Sequence, residues 1–313
     1  MNNIFLQMGI LFLLIFAGYI CHKCKLLDHE FDRMLSNFIV KVSCPALVLA
    51  STMGDLVPDR ELVAPLLAVG VASYFVFGSI CWFAARLFTK DKSKRGEFAF
   101  MLTFGNVGFI GYPVVASIFG TDAIFFAAVL NFANALFVYS LGPVIIAGRT
   151  DKTKLTPMFL FSPIMLASYA AIAIVMFGLK DFPKLVSEPL SMLGSMTVPG
   201  ALLIIGSSIA QMPLRGILGS LNVYAMCVCR LFIVPFGVYF FSLLFSDSVE
   251  VVTINTVLFA MPVATLGIMF CLIAGKDEST MAKATFISTL FSMLTIPCVT
   301  TAVNYLNTIF LPG

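Results

Sequence analysis

Charge is scarce in this chain. Only 11% of its 313 residues are charged, against about 25% in a soluble domain, while 60% are hydrophobic. That balance excludes a soluble globular protein and predicts an all-α polytopic membrane protein with almost no room for a soluble domain. Acidic residues are scarcest at membrane depth. No Asp or Glu falls in the middle of an apolar run; Asp55, Glu97, Asp122 and Glu250 sit near ends. A proton relay through a buried carboxylate, common in pumps, therefore has no obvious residue, and no carboxylate cage for a cation is visible. Sodium held by carbonyls and hydroxyls such as Thr265 stays open. The two histidines, His22 and His29, both fall in the first polar loop. No HExxH, no buried carboxylate pair and no GxxxxGK[ST] occurs, so neither an intramembrane enzyme nor an ATP-driven pump is expected. No cofactor is expected. The net charge of +3 says nothing of nucleic acid, because the positive residues mostly sit in short loops.

The eight cysteines give no disulfide framework. Cys44, Cys81, Cys227, Cys229, Cys271 and Cys298 lie in apolar runs, where thiols behave as small hydrophobes. Cys21-His22-Lys23-Cys24 has a CxxC spacing, but no second ligand pair accompanies it, so no metal site is expected. The start, Met1-Asn2-Asn3-Ile4, lacks the basic leader of a cleaved secretory signal. The first apolar segment is therefore expected to remain as a span.

What is abundant is long hydrophobic sequence. Uncharged or nearly uncharged runs, each near or above the ~20 residues needed to cross a bilayer, are Met1–Cys21, Met34–Gly54, Leu62–Ala85, Phe98–Thr121, Ala123–Gly148, Leu155–Leu179, Pro189–Leu214, Gly216–Ser246, Val251–Gly275 and Ala284–Gly313. Ten spans place both termini on one side. Alternate loops divide the Lys and Arg residues 14 to 3, with Lys41 and Arg230 inside spans completing the 19. The rich set, which includes Lys92 and Lys152, is expected to be cytoplasmic. Both termini then face outward from a cell membrane.

Two of these spans are not clean helices. Gly105-Asn106-Val107-Gly108-Phe109-Ile110-Gly111-Tyr112-Pro113 places three glycines and a proline at membrane depth in span four, lowering helix stability and removing a backbone donor. Span nine carries Ala260-Met261-Pro262-Val263-Ala264-Thr265-Leu266-Gly267. Lipid offers no substitute hydrogen-bond partner, so a broken helix must lie in protein or beside water. The halves also echo each other. Pro45 answers Pro199, Pro113 answers Pro262, Gly120-Thr121-Asp122 answers Gly275-Lys276-Asp277, and Pro143 answers Pro297, at offsets of 154, 149, 155 and 154. Five spans per half is odd, which predicts two inverted repeats: 1–148, a cytoplasmic linker 149–156, and 157–313. Matching interrupted segments in inverted repeats point to a transport site.

On those motifs the chain resembles the auxin efflux carrier family, which includes bacterial permeases and plant PIN-type carriers. The Gly105–Pro113 stretch resembles the family's fourth-helix motif. Ala260–Ala264, followed by Ala274-Gly275-Lys276-Asp277-Glu278, resembles its ninth helix and the loop after it. The resemblance covers essentially the whole chain. It implies a fold similar to sodium–bile-acid symporters, with spans four and nine crossing at their breaks. Spans one, two, six and seven would form a scaffold, and spans three to five and eight to ten a moving domain. It also implies a carrier for a small organic anion, a malate- or auxin-like carboxylate, working as a homodimer in membrane lipid.

Within that frame Asn106 is the polar side chain nearest the first break; its amide can donate and accept, to a solute or to freed backbone groups. By resemblance it belongs to the substrate or crossover site. Pro113 and Pro262 shape the breaks. Gly105 lies at the first break, and Gly108, Gly111 and Gly267 allow close approach of backbone to a ligand or to another helix. Arg230, halfway along span eight, is a costly intramembrane cation. It could pair with a carboxylate, stand where a symporter holds sodium, or bond structural carbonyls. Lys41 in span two is similar but can snorkel to the cytoplasmic face. Asn131 and Asn134 share a helix face and either line the pocket or join helices. The expected function is secondary transport of small organic anions by alternating access. The alternative is a carrier-fold sensor that signals without net transport, for which no appended domain or long tail is seen.

Overall fold

The computed structural model describes residues 2–53, 60–148, 161–179, 182–211 and 220–311, with side chains from residue 9 onward except Leu272. The expected linker 149–156, and Lys152 within it, lie outside the described residues. Among the described residues fifteen α-helices follow one another: α1 Asn2–Lys23, α2 His29–Phe38, α3 Cys44–Ala50, α4 Val63–Phe88, α5 Arg95–Thr103, α6 Tyr112–Phe119, α7 Ala123–Ala147, α8 Pro163–Met176, α9 Lys184–Ser195, α10 Thr197–Gln211, α11 Leu221–Val228, α12 Val234–Ser242, α13 Val249–Phe259, α14 Leu266–Ile273 and α15 Ser279–Phe310. No strand occurs among the described residues beyond one isolated bridge. Among the described residues six continuous helical stretches are long and apolar enough to cross a membrane: 29–50, 60–88, 123–147, 184–211, 221–242 and 279–310. Four shorter apolar stretches are Gly9–Lys23, the part of α1 whose side chains are described, Val107–Phe119, Pro163–Met176 and Val249–Phe259.

Local chemistry explains where several elements start and stop. Helix α2 begins at His29, ahead of the expected Met34, because the Asp28 carboxylate caps it, accepting from Phe31 N–H at 2.7 Å. Its polar first turns extend past the apolar run, so loop residues of the sequence become helix. Gly120, at φ 91°, ends α6 in the left-handed region that glycine occupies without a Cβ penalty. Thr121 and Asp122 then separate α6 from α7. In the expected span seven, Pro189 lies inside α9 and Met196 divides α9 from α10.

Three helical junctions among the described residues are wide turns of five residues: Ile39–Ser43, Val107–Gly111 and Cys229–Ile233. Each ends two residues before a proline, namely Pro45, Pro113 and Pro235. A proline lacks an N–H and its ring crowds the carbonyl four residues back. That carbonyl belongs to Lys41, Phe109 and Leu231, the central residue of each wide turn. Widening the turn relieves the clash and loosens the hydrogen-bond ladder, a feature common near functional sites. Pro143 and Pro297 sit inside α7 and α15 without such a turn, so proline alone does not decide it.

The chain gathers into two compact units, each drawn from both halves of the sequence. Unit 1 comprises 1–66, 108–129 and 158–212. Here α1 and α10 pack through glycine: a Cβ on Gly18 would collide with Leu203 O, and one on Gly206 with Ile15 O. Helix α9 meets α3 the same way, with the Cβ position of Gly194 2.8 Å from Leu47 Cα. Ser43 and Thr197 hydroxyls lie 2.6 Å apart. Unit 2 comprises 67–107, 130–157 and 213–313. Polar pairs join its helices: Asn255 Nδ2 donates to Ser73 Oγ and Ser242 Oγ, both at 3.0 Å, and Asn307 links Tyr239 and Thr253. An apolar cluster of Tyr239, Val252, Ala260, Val299 and Val303 packs alongside.

Candidate functional site

In unit 2 two interrupted helices meet backbone to backbone. Helix α5 ends at Thr103, and its C-cap Phe104 is extended (φ −104°, ψ 121°). Gly105 pairs with Val263 in an antiparallel bridge. Asn106 N–H donates to Pro262 O at 2.8 Å, and Ala264 N–H donates to Phe104 O at 3.1 Å. Each extended segment thus supplies partners that the other lost when its helix stopped, as a membrane interior requires. Val263 N–H donates to Ser288 Oγ of α15 at 3.0 Å, and Ser288 Oγ donates to Thr285 O at 3.1 Å. Around the crossing, Tyr74 packs 4.4 Å from Phe259 and 6.3 Å from Phe104, centroid to centroid.

Arg230 fastens the crossing. Its side chain is fully buried. Nη1 donates to Leu102 O at 3.0 Å and Thr103 O at 3.1 Å, and Nε donates to Met261 O at 3.3 Å. These carbonyls lie at or just beyond the C-terminal ends of α5 and α13, where helix dipoles place partial negative charge. One guanidinium therefore serves two dipole ends without a carboxylate. Nη2 is buried and has no hydrogen-bond partner among the described residues. Gly105 lies directly against it: a Cβ there would collide with Nη2 and stand 3.2 Å from Met261 Cβ and O.

Gly105, Asn106, Pro262 and Arg230 are thus brought together. The Asn106 side chain is 9% exposed, and its amide makes no hydrogen bond among the described residues; only its backbone N–H is committed. Asn131 and Asn134 on α7 bond each other, Nδ2 of Asn134 donating at 2.9 Å, and Asn134 Oδ1 is buried without a partner among the described residues. Thr265 is exposed just before α14. Gly267 packs closely, its Cβ position 2.6 Å from both Phe100 Cε1 and Met281 Sδ. Lys41, Gly108, Gly111 and Pro113 belong to unit 1. Lys41 is exposed. The Cβ position of Gly108 has no neighbour within 4 Å, so close packing does not explain that glycine. Pro113 does not sit at the first break. It occupies the first turn of α6, where its missing N–H costs nothing, and the residue facing the second break is Gly105. A proline pre-set for helix starts one more easily than it ends one.

Sequence reading missed Ser288, a hydroxyl in an apolar helix whose role depends on a distant partner. It also missed Asp32, which looked like a loop residue. Asp32 is buried in α2, its Oδ2 accepting from Ser207 Oγ and Gln211 Nε2, each at 2.5 Å. His22 Nδ1 lies 3.2 Å from Ser207 Oγ. The Asp28 cap and the amphipathic pattern after it were the available signal. At the loop end of unit 2, Ser93 N–H and Oγ hold the Asp91 carboxyl below its ordinary range, and the Ser279 hydroxyl and N–H do the same for Asp277. Burial pushes Glu97 up, against the pull of Lys276 and Lys94.

The profile of a family described as membrane transport protein matches residues 3–160 and 154–300. The chain belongs to this family. It is the auxin efflux carrier family whose motifs the sequence resembles. An uncharacterized transporter of Methanocaldococcus jannaschii is 24% identical over 299 residues, covering 92% of this chain and 94% of that protein. Another, from Methanothermobacter thermautotrophicus, is 24% identical over 289 residues, covering 91% and 93%. With its apolar helices, the protein is a multi-pass membrane transporter.

Proposed function

We propose that this transporter is a secondary carrier for small organic anions, working by alternating access around the crossing of spans four and nine. The observation that carries the reading is the Gly105–Val263 bridge with Arg230 clamped across it. Arg230 takes the role of a built-in cation. Its donors occupy carbonyl oxygens of the kind that coordinate sodium, so coupling to sodium is not needed to hold the crossing. We assign the Asn106 amide, the Arg230 Nη2 edge and the Asn131–Asn134 pair as the polar groups that meet a carboxylate. Lys41 we assign to the membrane interface.

The four shorter apolar helices complete ten spans in this reading, in two inverted repeats. The Ser43–Thr197 contact supports it, since it joins residues 154 apart, the offset that also relates Pro45 to Pro199. Unit 1, which contains spans one, two, six and seven, is assigned as scaffold and homodimer surface, and unit 2 as the moving part. Residues 108–129 group with unit 1 because α6 packs on α1 and α10. The loop charges support an orientation with both termini outside a cell membrane.

Uptake of labelled mono- and dicarboxylates by proteoliposomes tests the proposal. Saturable uptake of at least one carboxylate is expected. Binding that raises the melting temperature without uptake would favour signalling, and neither uptake nor stabilisation by any carboxylate would overturn the anion reading.

A further inference from the structure

We infer that the loop end of unit 2 holds one anionic phospholipid, with its headgroup in a basic cavity and an acyl chain in an adjoining apolar groove. The cavity measures about 410 Å³, and its charged walls are Arg86, Lys92, Arg95 and Lys276. No carboxylate lines it among the described residues. Arg95 Nε is buried beside the cavity without a hydrogen-bond partner among the described residues, a donor that a phosphate oxygen reaching the guanidinium would satisfy. The nearby acids Asp91 and Asp277 are engaged by Ser93 and Ser279. Lys276 Nζ donates to Ser93 O at 2.8 Å, which fixes its head at the cavity.

The groove, about 330 Å³, runs along α4, α5 and α7 and is walled by Phe75, Gly78, Phe104, Phe137 and Leu141 among others. Trp82 and Ile145 line both spaces, so the two adjoin. From Tyr74, at the far end, to Arg86 is about 18 Å along α4. One leaflet offers about 15 Å of hydrocarbon plus the headgroup layer, so the paired spaces match a single lipid in depth. A soluble anion makes no use of the groove, and a neutral lipid makes no use of four cations. Trp82, 45% exposed, stands at the junction, the place tryptophan takes at the membrane interface. In the orientation proposed above this end faces the cytoplasmic leaflet, where anionic headgroups attract Lys and Arg.

The test uses the full chain in phosphatidylcholine nanodiscs with added phosphatidylglycerol, reading melting temperature and, by native mass spectrometry, the lipid retained. Phosphatidylglycerol should raise the melting temperature and be retained in preference to phosphatidylcholine. Inorganic phosphate and glycerol 3-phosphate at millimolar concentration should give no shift. Each basic side chain near an anionic surface contributes about fivefold in affinity, so Arg95→Gln with Lys276→Gln should weaken retention about 25-fold. Gly78→Leu leaves the cations intact and fills the groove; its first carbon fits, the nearest atom being Thr103 Cγ2 at 3.6 Å. It should also abolish the preference, and it decides the matter if the charge variant does not fold. Equal retention of both lipids, or retention unchanged in Gly78→Leu, would overturn the proposal. A shift with glycerol 3-phosphate equal to that with the lipid would instead mark a soluble-anion site and overturn it too.

Discussion

Arg230 brings a full charge into unit 2 and spends it on three backbone carbonyls. Removing the guanidinium leaves those oxygens unpaired at about 1–3 kcal/mol each. Arg230→Gln should therefore lower the melting temperature as well as impair uptake, and Arg230→Lys, which keeps charge but loses the planar fork, should fall between. Gly105→Ala tests the same contact from the other side. Its methyl must displace Nη2, a cost of about 1–3 kcal/mol by analogy with overpacking. Combined with Arg230→Lys, the two effects should be less than additive in thermal denaturation; strict additivity would mean that the glycine is not there for the arginine. Glu97 makes a different prediction. Burial raises its carboxyl above the unfolded value, so the folded state binds the proton more tightly. Below the unfolded value both states are protonated and nothing is lost. As pH rises through the interval up to the raised value, stability falls. Glu97→Gln should leave the melting temperature unchanged in acid and raise it towards neutral pH. A uniform offset across the pH range would contradict this.

At the level of elements, local signals were the legible ones. Three glycines and a proline marked span four as broken, because their cost to a helix is local. That Gly105 lies at the break was legible; that it meets Val263 was not, because that backbone pairing is long-range. The wide turns were written in the sequence as prolines, but Pro143 and Pro297 show that tertiary context chooses among them. Ser288 lay hidden for the same long-range reason, since its role exists only when the second break reaches α15. Ser288→Ala leaves Val263 N–H unpaired, and about 1–3 kcal/mol of stability should be lost; Ser288→Thr, which keeps the hydroxyl, should recover part of it. An unchanged melting temperature for the alanine variant would remove Ser288 from the account of the break.

For the whole molecule, composition sufficed to predict a helical membrane protein, and the family match makes it a transporter. Asp32 shows what composition could not reveal, a buried acid inside a loop-like sequence. The central claim is that a carrier for small organic anions is organised around a crossing fixed by Arg230 in place of a coupling cation. The most direct measurement is uptake of a carboxylate by proteoliposomes in sodium and in potassium, for the natural protein and for Arg230→Gln, with melting temperatures taken on the same preparations. The account predicts equal uptake in the two salts for the natural protein, and loss of uptake in the variant under conditions where it remains folded. Uptake that requires a sodium gradient, or normal uptake by folded Arg230→Gln, would contradict it.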